Sequence, residues 1–145
     1  MLVRPIQEAN RHAWQQMRAA LWPDDDDLEA SIAAYFAAPD PAVVTLMAFD
    51  LKQNPVGFAE VGTRGYAEGC EHSPVAFLEG WYVIPEARGT GAGRALVAAA
   101  EDWARSKGLR ELGSDTELHN EAAIQAHKAL GFEETERIVC FLKRL

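Results

Sequence analysis

Three glycines at alternate positions lie where an apolar segment gives way to an amphipathic one. They belong to Arg88-Gly-Thr-Gly-Ala-Gly93, which follows the apolar residues 75–84 and precedes residues 94–107, where apolar side chains recur every three or four positions. Glycines between a strand and a helix let the backbone turn tightly and point several N–H groups at one place, and the helix N-terminus adds positive potential there. The segment therefore predicts a binding site for a phosphate or pyrophosphate group.

The spacing of these glycines separates the segment, named here the glycine loop (residues 88–93), from two other phosphate-binding loops. A Walker loop needs Gly-Lys-Ser or Gly-Lys-Thr, which the segment lacks. A dinucleotide-binding loop needs Gly-x-Gly-x-x-Gly after the first strand, whereas this loop has Gly-x-Gly-x-Gly after about the fourth predicted strand. A turn without any ligand remains an alternative, although such a turn does not require three alternating glycines.

Hydrophobic periodicity predicts a single mixed α/β domain over residues 1–145. Three or four early strands precede a strand–helix–strand–helix–strand series, an order typical of a mostly antiparallel central sheet flanked by helices. Strands are predicted at residues 2–6, 42–49, 56–63, 75–84, 110–116 and 132–145. Helices are predicted at residues 8–22, from the aspartates at 24–27 to about residue 38, at 94–107 and at 120–130.

The charge of the chain restricts its partners. The formal net charge is −8, and nucleic acids and anionic membranes are themselves negatively charged. Neither is therefore expected as a partner, whereas a cationic small molecule would be attracted. The alternative is that the acidic surface only keeps the protein in solution.

The positions of cysteine and histidine predict free thiols and no metal site. Cys70 and Cys140 are the two cysteines, and the first residues lack the basic-then-apolar pattern of a secretory signal. We therefore expect a cytoplasmic protein with two reduced thiols. The four histidines are scattered without the spacing of metal ligands, so no metal is expected.

The glycine loop resembles the Gln/Arg-x-x-Gly-x-Gly/Ala signature of the GNAT (Gcn5-related N-acetyltransferase) superfamily through Arg88, Gly91 and Gly93. A second element of that superfamily is similar to the downstream pattern Asn120-x-x-Ala-x-x-x-His127-x-x-x-Gly-Phe. The two patterns have the order and separation found in the superfamily. The resemblance implies a sheet splayed at its fourth strand, acetyl-CoA as co-substrate, and acetyl transfer to a primary amine.

The resemblance also implies which residues hold acetyl-CoA. The glycine loop and the helix after it would bind the pyrophosphate, and the fourth strand would pair with the pantetheine arm through its backbone. Gly80 could mark a bulge that opens the cleft, or it could simply suit close packing. The implied cofactor residues are Trp81, Tyr82, Val83, Arg88, Gly89, Thr90, Gly91, Ala92, Gly93, Arg94 and Asn120.

Over nearly its whole length the chain is similar to the aminoglycoside 6′-N-acetyltransferases of the small chromosomal type. The similarity is carried by Leu21-Trp-Pro23, residues 69–80, Ser114-Asp-Thr116 and residues 129–137. It implies the 6′-amine of an aminoglycoside as acceptor, and a homodimer formed through the C-terminal strand region. The implied acceptor-binding residues are Trp22, Tyr66, Glu79, Asp115 and Glu136.

The chemistry of these five residues supports some assignments more than others. Glu79 interrupts an apolar strand, where a carboxylate is usually paired or functional. Asp115 ends the next strand, where α/β proteins commonly build sites, although it could also cap a helix. Trp22 has the spacing of a helical core residue, Tyr66 lies on a polar loop, and Glu136 stands among charged residues typical of a solvated surface.

Acetyl transfer requires a neutral amine, whereas an alkylammonium group with a pKa of about 10.4 is almost fully protonated near neutral pH. We expect Glu79 or Asp115 to accept that proton, with direct attack on the thioester and a backbone N–H near Val83 for the oxyanion. His127 stands where many GNAT proteins have Tyr, and it is a candidate acid for the leaving thiolate or a packing residue. The alternatives are an acetyltransferase for a polyamine, an amino acid or a protein amine, and a non-catalytic acyl-CoA-binding module.

Overall fold

One sheet of five strands runs through the protein, which a computed structural model describes over residues 1–145. The strands are β1 (Leu2–Pro5), β2 (Val44–Phe49), β3 (Pro55–Arg64), β4 (Val75–Val83) and β5 (Leu112–Ser114). They lie side by side in chain order; β1 to β4 are antiparallel neighbours, and β5 is parallel to β4. The predicted mixed α/β class with a mostly antiparallel sheet is confirmed.

Four helices cover the sheet. They are α1 (Arg11–Leu21), α2 (Leu28–Ala37), α3 (Ala92–Ser106) and α4 (Glu121–Ala129), with short 3-10 turns at Glu8–Asn10 and Pro85–Ala87. All six residues of β2 are buried, and β3 is buried over most of its length. Successive side chains of a strand point to opposite faces, so burial of consecutive residues requires cover on both sides.

The two faces of the sheet hold separate cores. On one face Trp14 of α1 and Ile32 of α2 pack with Phe58 of β3. On the other face Leu96 of α3 packs with Leu46 of β2. Full burial of an apolar side chain of this size stabilises the fold by about 1.5–3 kcal/mol, so packing against the sheet sets where the helices lie.

The pairing of β3 with β4 shifts at one point. Glu60 pairs with Gly80, but the next residue, Val61, pairs with Leu78, which leaves Glu79 as an extra residue. A bulge of this kind bends its strand and increases the local twist. β5 pairs with β4 only as far as Leu78. From Glu79 onward β4 therefore has no neighbour on that side, and the strand is splayed from β5 as the resemblance implied.

Two elements differ from the sequence prediction at their N-terminal ends. The predicted helix at 8–22 begins with the 3-10 turn Glu8–Asn10 before α1. α3 begins at Ala92 rather than at residue 94, so its first turn includes the end of the glycine loop. The positive helix end is therefore part of the loop.

The predicted last strand at 132–145 is wrong for the single chain. Residues 133–145, named here the C-terminal arm, form neither helix nor strand, and all of them are exposed. β5 is an edge strand, yet the arm does not turn back to pair with it. A strand needs a partner for its backbone groups, and the arm has none within its own chain.

Three further findings concern cysteines, metals and membranes. Cys70 and Cys140 are both free thiols. The protein has no group of three His, Cys, Asp or Glu side chains arranged to hold a metal ion. None of its helices combines the length and the apolar composition needed to cross a lipid bilayer.

Candidate active site

The glycine loop makes a tight turn into α3. Gly89 and Gly91 have φ angles of +79° and +94°, in the left-handed region where a residue with a Cβ is strained. Gly91 is the N-cap of α3, and its carbonyl accepts the N–H of Ala95 at 2.9 Å. These two glycines allow the chain to leave the 3-10 turn at Pro85–Ala87 and enter the helix at once.

Most backbone N–H groups from Gly89 to Arg94 have no hydrogen-bond partner; the exception is Thr90, whose N–H donates to the carbonyl of Ala87 at 3.4 Å. Those of Gly89, Gly91, Ala92, Gly93 and Arg94 donate to no backbone carbonyl. Several lie in the first turn of α3, where an α-helix has no internal acceptors for them. Together with the positive end of the helix dipole, they suit an anionic group such as a diphosphate.

Gly93 has a different role from the other two glycines of the loop. A Cβ at Gly93 would lie 3.2 Å from Cζ2 of Trp81, which is closer than side chains normally approach. The indole Nε1–H of Trp81 donates to the Gly93 carbonyl at 3.2 Å. The third glycine of the pattern therefore lets β4 and α3 come together, rather than forming the turn.

Arg88 and Thr90 stabilise the shape of the loop through backbone carbonyls. Arg88 Nε donates to the carbonyl of Val83 at 3.0 Å. Thr90 Oγ1 donates to the carbonyl of Ala87 at 2.6 Å. Both side chains brace the loop against the chain that leads into it, and their predicted contacts with the cofactor stay predictions.

Beyond the bulge, β4 presents a free backbone edge to the gap left by β5. The N–H of Ile84 donates to the carbonyl of Val56 at 2.9 Å. Because backbone groups alternate in direction along a strand, the N–H groups of Trp81 and Val83 point away from β3 and into the gap. The ring of Tyr82 instead lies on the α1–α2 face. The free edge leads directly to the glycine loop, so one extended ligand can contact both.

His127 is held at both ring nitrogens near this gap. Its Nε2 lies 2.7 Å from Oγ of Ser114, and its Nδ1 lies 2.7 Å from the carbonyl of Ala123. A carbonyl oxygen only accepts, so Nδ1 carries a proton. The ring also packs edge-to-face against Trp81 and Phe132. Nε2 therefore faces the hydroxyl of Ser114, which also lies 3.5 Å from the carbonyl oxygen of Leu78.

Asn120 caps α4. Its Oδ1 accepts the N–H of Ala123 at 3.1 Å, an interaction that typically contributes about 1 kcal/mol to helix stability. The amide nitrogen of Asn120 makes no hydrogen bond within the protein, so its predicted contact with the cofactor stays a prediction.

Glu79, the bulged residue, pairs with an arginine that the sequence patterns do not indicate. Nε and Nη2 of Arg64 donate to its two carboxylate oxygens at 2.9 and 2.7 Å, a bidentate arrangement. The Arg64 guanidinium lies 3.6 Å from the ring centroid of Phe77. The hydrogen bond with Glu79 raises the pKa of Arg64, and the charges of Asp115 and Glu68 act in the same direction.

Asp115, Tyr66 and Glu136 are all exposed. Asp115 directly follows β5 and lies close enough to Arg64 to affect its titration. Glu136 is on the C-terminal arm, next to Thr135, whose Oγ1 donates to the carbonyl of Glu68 at 3.1 Å. That bond ties the arm to the loop between β3 and β4 that carries Tyr66. None of the three predicted residues is hydrogen-bonded to Glu79.

Trp22, at the end of α1, packs against the β4 bulge. It follows the last residue of α1 and is half-buried. A Cβ at Gly80 would lie 2.6 Å from Cη2 of Trp22, so the indole ring rests directly on the Gly80 backbone. Both explanations offered for Gly80 therefore hold, since it lies at the bulge and also accommodates a close neighbour.

Three polar residues of this region are absent from the sequence prediction: Glu60, Arg64 and Ser114. Glu60 and Arg64 lie on β3, and only the pairing with β4 brings them near the bulge. A glutamate within the apolar residues 55–64 was the available signal for Glu60. Ser114 lies in the Ser114-Asp-Thr116 segment that carries the resemblance, but the resemblance implied no role for it, and a serine at a strand end is unremarkable in sequence.

A strand that parts from its neighbour at a bulge and then turns, through unpaired N–H groups, into a helix is the arrangement that the resemblance to acetyltransferases implied. The chain belongs to the acetyltransferase (GNAT) family, whose profile it matches over residues 6–132.

Relatives within this family match along nearly the full chain. The aminoglycoside N(6′)-acetyltransferase type 1 of Klebsiella aerogenes is 46% identical over 99% of this chain and 97% of that protein. The protein of the same name from Stenotrophomonas maltophilia is 48% identical over 96% of this chain and 90% of its own length.

Solved structures give the same result. AAC(6′)-Iy in complex with the bisubstrate analog CoA-S-monomethyl-acetylneamine has a TM-score of 0.91 and 36% identity, with 99% of this chain and 98% of that chain covered. AAC(6′)-Ih from Acinetobacter baumannii has a TM-score of 0.90 and 36% identity over the same shares.

Substitution in the glycine loop tests its role. We expect Gly91→Val to weaken acetyl-CoA binding by about tenfold or more, because a β-branched residue is strained at positive φ and will displace the free N–H groups. Calorimetric titration with acetyl-CoA measures the change. Gly108→Val is a matched control, since Gly108 has φ +74° at the other end of α3 and open space around it. The control should lose stability and keep its affinity; unchanged affinity in Gly91→Val would contradict the assignment.

Proposed function

We propose that the chain, as one domain over residues 1–145, transfers an acetyl group from acetyl-CoA to the 6′-amine of an aminoglycoside. The observation that carries this proposal is the set of unpaired N–H groups at Gly89 and at residues 91–94, together with the free edge of β4 that leads to them. The near full-length relatives bear the name of this activity, and one structural neighbour holds a CoA–acetylneamine analog.

The residues present fit acetyl-CoA. Its diphosphate is an anion, and the glycine loop with the N-terminus of α3 offers donors and positive potential. Its pantetheine arm is an extended chain with amide groups, which suits the outward N–H groups of Trp81 and Val83 in the manner of an added strand. Acetyl-CoA supplies an acetyl group activated as a thioester.

Acidic groups around the bulge suit a polycationic acceptor. Glu79 is hydrogen-bonded to Arg64, and the charges of Asp115 and Glu68 also raise the pKa of Arg64. Four aspartates at 24–27 lie close after Trp22 in the chain. An aminoglycoside carries several ammonium groups, which negative potential attracts. Trp22 and Tyr66 offer aromatic surface on which a sugar ring can pack. Glu136, on the neighbouring arm, adds one more carboxylate.

The acceptor ammonium must lose a proton before it can attack. Both carboxylate oxygens of Glu79 accept hydrogen bonds from Arg64, whereas Asp115 is exposed and has no hydrogen-bond partner. We therefore assign proton acceptance to Asp115, directly or through a water, and acceptor binding to Glu79. The neutral amine then forms the C–N bond as the C–S bond of the thioester breaks, without an acyl-enzyme.

Two groups assist this step from the side of the gap. The N–H of Val83 donates to the acetyl oxygen as negative charge develops on it. The departing thiolate takes a proton from the hydroxyl of Ser114. His127 then donates a proton to the Ser114 oxygen to replace the one that was lost. This replacement requires the imidazolium form of His127, in which Nε2–H donates to Ser114 Oγ.

Measurement of acetyl transfer tests the proposal against its alternatives. The protein is incubated with acetyl-CoA and, separately, kanamycin, spermine or a lysine peptide, and released CoA is measured with a thiol reagent. We expect release with kanamycin, and an NMR spectrum of the product with the acetyl group on the 6′ nitrogen. Preferred transfer to spermine or to the peptide would identify another acetyltransferase. Tight CoA binding without any transfer would identify a non-catalytic binding module.

The two carboxylates should differ in their kinetic effects. Asp115→Asn removes the proton acceptor, so kcat should fall about a hundredfold. Glu79→Gln removes a cation-binding group, so KM for the aminoglycoside should rise about tenfold with a smaller change in kcat. Glu117→Gln is the control, because Glu117 is an exposed carboxylate two positions beyond Asp115. A wild-type kcat in Asp115→Asn would remove Asp115 from the chemistry.

We also propose that the protein is a homodimer joined through the C-terminal arm. The arm exposes the apolar side chains of Ile138, Val139, Phe141 and Leu142. β5 has a free outer edge, and a groove of about 230 Å³ beside it is lined by Leu109, Leu112, Leu130 and Phe132, among others. The arm of a second copy could pair with this edge and bury its apolar side chains in the groove.

Sedimentation velocity tests the dimer. Phe141→Asp should convert it to a monomer, because Phe141 is 93% exposed in the single chain and a charge would prevent its burial in an interface. Leu51→Asp is the control, since Leu51 is 94% exposed in the turn between β2 and β3. A wild-type protein that sediments as a monomer at micromolar concentration would contradict the proposal.

We further propose that the protein acts in the cytoplasm. Both of its cysteines are free, and a reducing compartment maintains thiols in that state.

A further inference from the structure

We propose that Arg18 and Glu60 are positioning residues for the acceptor, because together they hold the indole ring of Trp22 against the bulge of β4. The inference rests on the proposed function, in which Trp22 forms part of the acceptor site. It gives a role to a largely buried ion pair between α1 and β3 that takes no part in the chemistry.

Arg18 connects three parts of the structure. Its Nε lies 3.5 Å from Oε1 of Glu60 on β3, and its Nη2 lies 3.5 Å from Oδ2 of Asp25 in the loop after α1. Its guanidinium lies 5.4 Å from the ring centroid of Trp22, within the range of a cation–π interaction. The side chains of Arg18 and Glu60 are only 15% and 16% exposed, so water screens these interactions weakly.

Glu60 anchors the connection to the sheet. Its Oε1 accepts the indole N–H of the buried Trp14 at 3.0 Å. Burial raises the pKa of Glu60, while the charge of Arg18 and the hydrogen bond from Trp14 oppose that rise. A buried ion pair often adds no more stability than apolar side chains of the same size would. Stability alone therefore does not account for the pair, and what it orients becomes the relevant question.

The group that it orients is Trp22. The ring of Trp22 rests on the backbone of Gly80, where a Cβ would come within 2.6 Å of it. Gly80 is in turn the strand partner of Glu60. Arg18 thus interacts both with the Trp22 ring and with Glu60, the strand partner of the glycine on which the ring rests. Without Arg18, neither the ring nor the loop after it has a charged contact with the sheet.

The Trp22 ring and the ion pair that holds it, named here the Trp22 wall, lie next to Glu79, the carboxylate assigned to acceptor binding. Glu79 is adjacent to Gly80 in the chain. A Cβ added at Gly62 would lie 3.5 Å from Oε1 of Glu79. Gly62 and Glu60 are two positions apart on β3, so Glu79 lies on the same sheet face as Glu60. Glu60 and Asp25 together carry more charge than Arg18 alone, so the wall remains acidic towards a cationic acceptor.

Steady-state kinetics test the role of the pair. Arg18→Met keeps a long apolar side chain and removes the charge; KM for the aminoglycoside should rise about tenfold or more, with kcat and KM for acetyl-CoA within about twofold of wild type. Glu60→Gln keeps an acceptor for Trp14 and should raise the same KM to a smaller extent. Arg18→Lys should recover part of the loss.

Arg11→Met is the matched control. Arg11 lies on the same helix, pairs with Glu8, and has its guanidinium 4.9 Å from the ring centroid of Phe36. It has the same kinds of interaction as Arg18 but no contact with Trp22, so its removal should leave the acceptor KM unchanged.

A second readout does not depend on activity. The NMR signal of the Trp22 indole N–H, assigned with Trp22→Phe, should move in Arg18→Met and in Glu60→Gln but not in Arg11→Met. If the wild-type protein acetylates no aminoglycoside, the proposed function fails, and an unmoved Trp22 signal would separately overturn the positioning of the ring. If the wild type is active, an unchanged acceptor KM in Arg18→Met overturns the inference, whether or not the signal moves.

If Arg18→Met does not fold, Gly80→Ala tests the position of the Trp22 ring with Arg18 and Glu60 unchanged. Its methyl group would collide with the Trp22 ring, so it should raise the acceptor KM in the same way. A wild-type acceptor KM in this variant would contradict the role of Trp22.

Discussion

The bulge at Glu79 is the constraint on which the rest of the site depends. Before it, β4 is held between β3 and β5. After it, the strand is hydrogen-bonded on one side only, and the N–H groups of Trp81 and Val83 face an open gap. A shift of one residue in a strand exchanges its two faces. The same extra residue therefore places the Glu79 carboxylate and the Gly80 backbone together on the α1–α2 face.

The part of the site that the sequence could predict is local. The glycine loop joins a strand to a helix within a few residues, and positive φ at Gly89 and Gly91 follows from that junction alone. The faces of α1 and α3 likewise follow from apolar spacing within each helix. Even here the reason for Gly93 was not available from the loop, because it lies in the side chain of Trp81, twelve residues earlier in the chain.

The part that the sequence could not predict depends on pairing between distant segments. Arg64 reaches Glu79 only because β3 and β4 pair with one particular register. Ser114 meets His127 only because β5 ends where the two strands part. For the C-terminal arm, the sequence predicted a strand that the structure does not contain. Its apolar residues have the composition of a strand, but a strand also needs a partner, and composition does not say whether the same chain provides one.

Two arginines lie on either side of the bulge, and they differ in a way that bears on acceptor binding. Arg64 and Glu79 are 42% and 36% exposed, and an ion pair so open to water contributes little net free energy. An ammonium group of the acceptor can therefore compete with Arg64 for Glu79 at small cost. Arg18 and Glu60 are mostly buried, and loss of either partner would leave an uncompensated charge away from water. The Arg64–Glu79 pair can thus open for a ligand, while the Arg18–Glu60 pair keeps the Trp22 ring in place.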